Sequence, residues 1–412
     1  MAKARKDNKG RALYKGECQR SQDGRYVYTY TDIYGKRNYI YALTLMELRE
    51  KEKELLRDRF DGLDRYTAEH TTLNQLVDRY MQTKDHLASS TYANYRYMYD
   101  RFCGHTVGKK VIKDLKYSDV LFFYQQIMKT GVNITTIESL HCVIHPALDM
   151  AVRDELIRKN PSDKVVSEIK RRVGSRARKK KALTVAEEKA LIDYITENPF
   201  FYEWRPIIVF LLNTGCRIGE ACGIRWSDVN LDNRTIDINH SMTFFRRGKK
   251  TPYTYEFKFG PTKSAAGNRI IPMTDDAYKV LSELKEKRIR YGAHGLVVDG
   301  ARDFIFVRDG NLYKHTAIDH KLKVIVDSYN QQELHEAKIE GRVPLVLPYC
   351  SCHSFRHTFC TRLCEQESNI KAIQEIMGHA DITTTMNIYA EATEGKKLEV
   401  MDNFSKRFEG DD

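Results

Sequence analysis

Met377-Gly378-His379-Ala380-Asp381-Ile382-Thr383-Thr384-Thr385-Met386-Asn387-Ile388-Tyr389 is the stretch around which the sequence organises itself. A histidine follows a glycine, and a tyrosine comes ten residues later, after a threonine run that reads as the end of a helix and leaves Tyr389 on a mobile segment. Three earlier fragments carry complementary chemistry. The first is Thr214-Gly215-Cys216-Arg217-Ile218-Gly219-Glu220, where glycine permits a sharp turn that aims Arg217 into a cleft. The second is Pro261-Thr262-Lys263-Ser264, read as the turn of a hairpin returning along Arg269-Ile270-Ile271-Pro272. The third is His353-Ser354-Phe355-Arg356-His357, which sets His353 and Arg356 one helical turn apart on one face. Taken singly these are ordinary: an arginine after a helix is usually a surface residue, and a lysine in a turn is usually just solvated. Their order is what carries information.

Outward from these fragments the pattern is mixed. A helix capped by Thr184 and Glu187 opens the last segment, and an apolar helix runs to Leu212. Strand-like pieces fall at residues 235–238, 253–259 and 269–271, and helical periodicity then resumes. Residues 330–348 read as an insertion to which the sequence assigns no role. Further upstream, Leu73, Leu76, Val77 and Tyr80 recur at helix spacing, as do Ile137, Leu140, Val143, Ile144 and Leu148. That helical stretch closes on residues 154–161, with Pro161 expected to stop its last helix. Residues 170–181 carry eight basic side chains and no acid, and read as a linker, either a solvated charge run or one lying along a phosphate backbone. At the N-terminus, residues 25–30 and 37–41 are β-prone, with a turn between them, and Thr44 with Glu47 caps a helix to about Phe60. The sheet has two readings: a meander that packs on a neighbour, or a reader of a DNA groove through Arg25, Lys36 and Arg37.

Composition narrows the class. The 412 residues hold 42% hydrophobic and 11% aromatic side chains, enough for two or three folded domains. Lys and Arg number 68 against 56 Asp and Glu, a net charge of +12 that favours polyanions. Residues 1–20 alone carry seven basic and two acidic side chains. No apolar run approaches the ~18 residues needed to span a bilayer, and the basic N-terminus lacks the apolar stretch of a secretory signal. Nine scattered cysteines suit a reducing cytoplasm, which is the expected location.

The order Arg217, Lys263, His353-x-x-Arg356, His379, Tyr389 resembles that of the tyrosine recombinases, the phage-type integrases. TGCRIGE, HSFRH and MGHADITTTMNIY are close to that family's motifs. The N-terminal tyrosine-rich stretch and the DELIRKNP segment resemble the integrases of conjugative transposons in particular. The resemblance implies a multidomain fold: a small β-sheet-plus-helix domain for arm sites (residues 1–65), an all-α core-binding domain (70–165), a basic linker (166–182), and a mixed, mainly-α catalytic domain with a small antiparallel sheet (183–412). It implies double-stranded DNA as partner, at core and arm sites, and a homotetramer on two duplexes. Within that assembly residues 396–408 would dock on a neighbour, and an accessory DNA-bending or excision factor would assist. Lys179, Lys180 and Lys181 would follow the DNA backbone.

Phosphodiester exchange explains the residue types. It needs an in-line nucleophile, neutralisation of charge on the non-bridging oxygens, and protonation of the leaving oxygen. Arg217 and Arg356 can form a planar, permanently charged clamp that lysine does not reproduce. His379 would add a further bond, and Tyr389 would attack. By resemblance His353 helps to take the phenol proton and Lys263 supplies one to the leaving oxygen. The covalent link conserves the bond energy, so neither metal nor cofactor is expected. Three other readings compete with this one. Cys350, Cys352, His353, His357, Cys360 and Cys364 suggest zinc, but match no closed four-ligand spacing. A DNA-binding regulator would not need Tyr389. A relaxing topoisomerase shares the chemistry, but a two-domain DNA clamp ahead of the catalytic part favours recombination.

Overall fold

The computed structural model describes residues 5–31, 35–60, 62–173, 182–247 and 254–392. The chain folds as two compact units, Met1–Ala177 and Arg178–Asp412. Among the described residues no helix is long and apolar enough to cross a membrane. Lys179, Lys180, Lys181 and the tail at 396–408 lie outside the described residues.

In the first unit, β1 (Glu17–Gln19), β2 (Tyr26–Thr31) and β3 (Arg37–Ala42) form an antiparallel sheet in that order. Strand alternation divides its side chains between two faces. Tyr26, Tyr28, Ile40 and Ala42 face Leu45 and Leu48 of helix α1 (Leu45–Phe60). The opposite face presents Arg37, Tyr39 and Tyr41, all exposed. Thr44 caps α1 as expected, its Oγ1 accepting from the Glu47 amide at 3.2 Å.

Helices α2 (Arg65–His70), α3 (Leu73–Gln82), α4 (Ser89–Phe102), α5 (Tyr117–Lys129) and α6 (Ile134–Arg153) follow. Their shared core contains Leu73, Leu76, Val77 and Tyr80 of α3 and Ile137, Leu140, Val143, Ile144 and Leu148 of α6, the residues singled out by periodicity. Each such side chain contributes about 1.5–3 kcal/mol when fully buried. Two boundaries differ from the sequence reading. Helix α6 ends at Arg153, well before Pro161, because Glu155 takes a left-handed conformation (φ 57°) and the chain turns there. The segment expected to be linker begins as helix α7 (Val165–Val173). Val165 and Ile169, four residues apart, bury a stripe in the helical core and hold those residues against the unit. The charges of Lys170 and Arg172 fall outside that stripe, paired with Glu138 and Glu168.

The second unit opens with α8 (Val185–Glu197), capped by Thr184 and Glu187, and the apolar α9 (Arg205–Thr214), buried from Ile207 to Leu212. A short helix α10 (Ile218–Gly223) leads to β4 (Val229–Asn230), β5 (Thr235–Ile238), β6 (His240–Arg247), β7 (Thr254–Pro261) and β8 (Arg269–Pro272). Strand β6 was not expected, and it changes the reading of Lys263. β7 pairs with β6, from His240↔Pro261 to Arg247↔Thr254, whereas β8 pairs with β5. The lysine turn therefore joins two ladders and closes no hairpin of its own. Helices α11 (Asp275–Tyr291), α12 (His315–Glu340), α13 (Cys352–Gln366), α14 (Ile370–Met377) and α15 (Ile382–Ala392) complete the unit. The supposed insertion at 330–348 is the last part of α12 and a loop folded back onto it. The buried Glu333 carboxylate accepts from Arg342 Nη2 at 3.0 Å and from the Leu345 amide at 2.7 Å.

Candidate active site

Two glycines build the site. Gly215 ends α9 with φ 59° and Gly378 ends α14 with φ 62°, a conformation that side-chain-bearing residues rarely adopt. Neither tolerates a side chain. A Cβ on Gly215 would meet the Phe359 ring at 2.4 Å, and one on Gly378 would meet the Ala266 carbonyl oxygen at 2.8 Å. Each leaves the last carbonyls of its helix open to side-chain donors.

Three arginines take up the carbonyls at the end of α14 in register. Arg269 Nε donates to Ile376 O at 2.7 Å, Arg356 Nη2 to Met377 O, and Arg217 Nη2 to Gly378 O at 2.9 Å. Arg356 Nη1 also donates to Gly215 O at 2.7 Å, bridging the two helix ends. The negative end of a helix dipole is a favourable place for cations, and three guanidinium groups still need a counter-charge. Glu220 supplies it: its Oε1 lies 2.6 Å from Arg217 Nη1 and its Oε2 lies 3.0 Å from Arg269 Nη2. Burial alone would raise the Glu220 pKa, but Arg269 and Arg217 more than offset it and hold the group ionised. Burial, with Arg217 next in importance, pulls Arg356 down to about 10, so it is still charged at neutral pH.

His379 leaves the α14 cap and is buried. Burial first, then Arg356, Arg217, Arg269 and His353, lower its pKa to about 4, so the imidazole is neutral at pH 7. Its Nδ1 lies 2.9 Å from Thr385 Oγ1, which fixes the ring on α15. Thr385 is fully buried, and Tyr389, four residues on, shares its face of the helix. The half-buried Tyr389 ring packs against the cluster of Cys360, Cys364, Ile373 and Met377. The expectation that the threonine run ends a helix and frees Tyr389 is therefore corrected. Threonine costs a helix only a few tenths of a kcal/mol, and the buried Thr385–His379 bond favours continuing it.

The structure thus gathers Arg217, Arg356 and His379 directly, and brings Tyr389 in on α15. His353 stands exposed on the first turn of α13, close enough for its charge to depress His379. Lys263 is exposed on the β7–β8 turn, whose Ala266 lies against Gly378. Arg25, Lys36 and Arg37 lie exposed in the first unit, apart from the arginine cluster of the second; Arg25 stands 3.7 Å from Asp23. Cys360 and Cys364 are core residues of α13. Among the described residues, His145, Asp149 and Asp163 of the first unit form a group with ligand atoms within 4.8 Å of one another, but His145 already bonds Ser162 at 2.9 Å.

Sequence reasoning gave no role to Glu220, Arg269 or Thr385. Signals for two of them exist. The Arg217-x-x-Glu220 spacing is that of a capping pair, realised by the Arg217 amide donating to Glu220 Oε2 at 2.9 Å. Arg269 alternates inward with the buried Ile271 while Ile270 is exposed, so the strand period marks it as an inward-facing cation. Thr385 carries no comparable signal.

Residues 181–396 match the phage integrase family, and residues 1–59 match the DNA binding domain of Tn916 integrase. The chain is 31% identical to the transposase from transposon Tn1545 of Streptococcus pneumoniae and to that from transposon Tn916 of Enterococcus faecalis, each over 98% of both chains. Among solved structures it resembles the Tn1549 transposon integrase in complex with transposon right end DNA, at 27% identity and a TM-score of 0.67, covering 81% of this chain and 100% of that one. The fold is also that of a lambda integrase dimer bound to a core site, at 17% identity and a TM-score of 0.52, over 92% of this chain and 95% of that one. With a family match over residues 181–396 and relatives aligned over 98% of its length, the chain belongs to the phage integrase family and is a tyrosine-type site-specific DNA recombinase.

Proposed function

We propose that the protein is the integrase and excision recombinase of a mobile element, cutting and rejoining DNA through a 3′-phosphotyrosyl intermediate. Tyr389 Oη attacks the scissile phosphorus, the P–O5′ bond breaks, and the 3′-phosphate stays on the tyrosine. His353 assists loss of the phenol proton, and Lys263 Nζ gives a proton to the departing 5′-oxygen. Arg217, Arg356 and neutral His379 bind the non-bridging oxygens, where charge grows in the transition state. Rejoining reverses each step with a different 5′-hydroxyl, so no external energy source is consumed. The observation that carries this reading is the convergence of Arg217, Arg356 and His379 on one helix end, held in place before any substrate arrives.

The domain labour follows from the same reading. Residues 1–65 bind arm sites, supported by the exposed Arg37, Tyr39 and Tyr41 face of the sheet. Residues 70–165 grip the core site, and residues from 183 onward cut it. Lys179, Lys180 and Lys181 track the backbone between them. The relatives named for transposons, and the Tn1549 complexes with transposon right end and circular intermediate DNA, support a mobile element as the substrate. A homotetramer on two duplexes, tail exchange through residues 396–408, an accessory bending or excision factor and a cytoplasmic location complete the proposal. The test is a nicked duplex carrying the mapped cleavage site, which traps the covalent product. The unaltered protein gives a denaturant-stable protein–DNA band, and Tyr389→Phe binds the same duplex without forming it. An adduct formed by Tyr389→Phe would show that another residue is the nucleophile.

A further inference from the structure

Lys263 projects from an exposed turn and makes no ion pair among the described residues, so nothing in its own side-chain contacts fixes where its ammonium stands. Its backbone is fixed. Thr262 Oγ1 donates within the turn, with Asn268 Oδ1 at 2.7 Å and Ser264 O at 2.9 Å. Gly267 closes the turn so tightly that a Cβ there would lie 2.7 Å from Thr262. Arg269 ties this closed turn to the rest of the site. Its side chain is only 6% exposed. Each guanidinium nitrogen serves a different element: Nη1 the Gly267 carbonyl of the turn at 2.9 Å, Nε the Ile376 carbonyl of α14 at 2.7 Å, and Nη2 the Glu220 carboxylate at 3.0 Å. The last is the carboxylate that also holds Arg217.

We propose that Arg269 is a positioning residue for strand cleavage, one that seats the Lys263 turn against the α14 cap so that the lysine stands at the leaving oxygen. The inference rests on Lys263 being the proton donor. A guanidinium is required because three acceptors in three directions must be met at once. An ammonium, a single nitrogen on a flexible stem, satisfies the charge of Glu220 without bridging the turn to the helix. Neither Arg269 nor its partners need touch the DNA; the arginine acts through the placement of the lysine.

Leaving-group chemistry separates placement of an acid from general support of the fold. In cleavage a bond forms between Tyr389 Oη and phosphorus, the P–O5′ bond breaks, and the proton passes from the Lys263 ammonium to O5′, leaving a neutral amine. When sulfur replaces O5′, the leaving group is a thiolate, which departs without a proton because thiols are far more acidic than alcohols. A protein lacking only its correctly placed acid therefore recovers on 5′-phosphorothiolate DNA. A protein with a distorted phosphate clamp does not.

The experiment measures single-turnover cleavage by the full chain on matched oxygen and sulfur duplexes, with duplex affinity and circular dichroism recorded alongside. Arg269→Lys, which keeps a charge beside the buried Glu220, is expected to slow cleavage of oxygen DNA about 100-fold, the scale of an ångström of misplacement. Its duplex affinity stays unchanged, and its rate on sulfur DNA returns close to that of the unaltered protein. Arg269→Ala repeats the pattern where it folds, and Lys263→Ala sets the benchmark for rescue. Rescue of Lys263→Ala without rescue of Arg269→Lys overturns the inference while leaving the lysine's role intact. Failure of sulfur to rescue Lys263→Ala overturns the underlying reading, and the inference with it. Unimpaired cleavage of oxygen DNA by Arg269→Lys also overturns the inference.

Discussion

Arginine does opposite work in the two units of this chain. At the α14 cap, Arg269 and Arg356 are almost fully buried, and bonds to backbone carbonyls, with Glu220 added for Arg269, fix the direction of each guanidinium group. On the N-terminal sheet, Arg25 and Arg37 lie exposed beside exposed Tyr39 and Tyr41. The buried set is stripped of water and fixed in direction, which suits stabilisation of a charge that exists only during reaction. The exposed set is hydrated and screened by salt, which suits repeated, exchangeable contact with phosphates. The same cation is thus suited to chemistry or to grip according to whether its orientation is built in.

The sharpest way to break this comparison is to remove the counter-charge from each side. Glu220→Ala strands two arginines in a buried network and is expected to cost about 3–5 kcal/mol of unfolding free energy in denaturant titration. Asp23→Ala, beside the exposed Arg25, is expected to stay within about 0.5 kcal/mol of the unaltered protein. Equal losses would mean that burial is not what distinguishes the two sets. Next in size is Arg217→Lys. It keeps the charge but loses the fork, and should remove about 2.7–4 kcal/mol of transition-state stabilisation, read as slower cleavage at unchanged duplex affinity.

A smaller effect is expected at His379. Its pKa of about 4 lies below the ordinary 6.5, so the folded state binds fewer protons there than the unfolded state. The stability contributed by the neutral ring is fully present above pH 6.5 and fades as pH falls toward 4. Following the His379 ring resonance by NMR should give a midpoint near 4, and a midpoint near 6.5 would mean that neither burial nor the nearby arginines depress it. The smallest effect belongs to the sheet. Arg37→Ala should lower the slope of log affinity against log salt by about one for arm-site DNA, leaving cleavage of a short core duplex unchanged. An unchanged slope would favour the reading of this sheet as packing alone.

Much of the architecture was legible because burial writes a period into the sequence. The α3 and α6 stripes gave the helical core residue by residue, and Thr44 and Thr184 marked helix starts through side-chain chemistry that is local to them. What stayed hidden depended on partners distant in sequence. No local signal tells that β7 pairs with β6 and leaves the Lys263 turn between two ladders. Nor does any local signal reveal that Thr385 is held in its helix by His379. The charge run at 170–181 misled in part because two core positions just upstream of it, Val165 and Ile169, extend helix order into its first residues. In the candidate site the reactive side chains stood out by type and order. Glu220 and Arg269, which bond within the same cluster, are marked only by a capping spacing and a strand period, signals of structure and not of chemistry.

Gly378 has one more consequence. Because Arg269, Arg356 and Arg217 donate to the successive carbonyls of Ile376, Met377 and Gly378, they share one helix end as an anchor. A tilt of α14 would disturb one anchor of each of the three guanidinium groups and the backbone of His379 together. The positions of these charges are therefore coupled: a change at this one helix end reaches all of them at once.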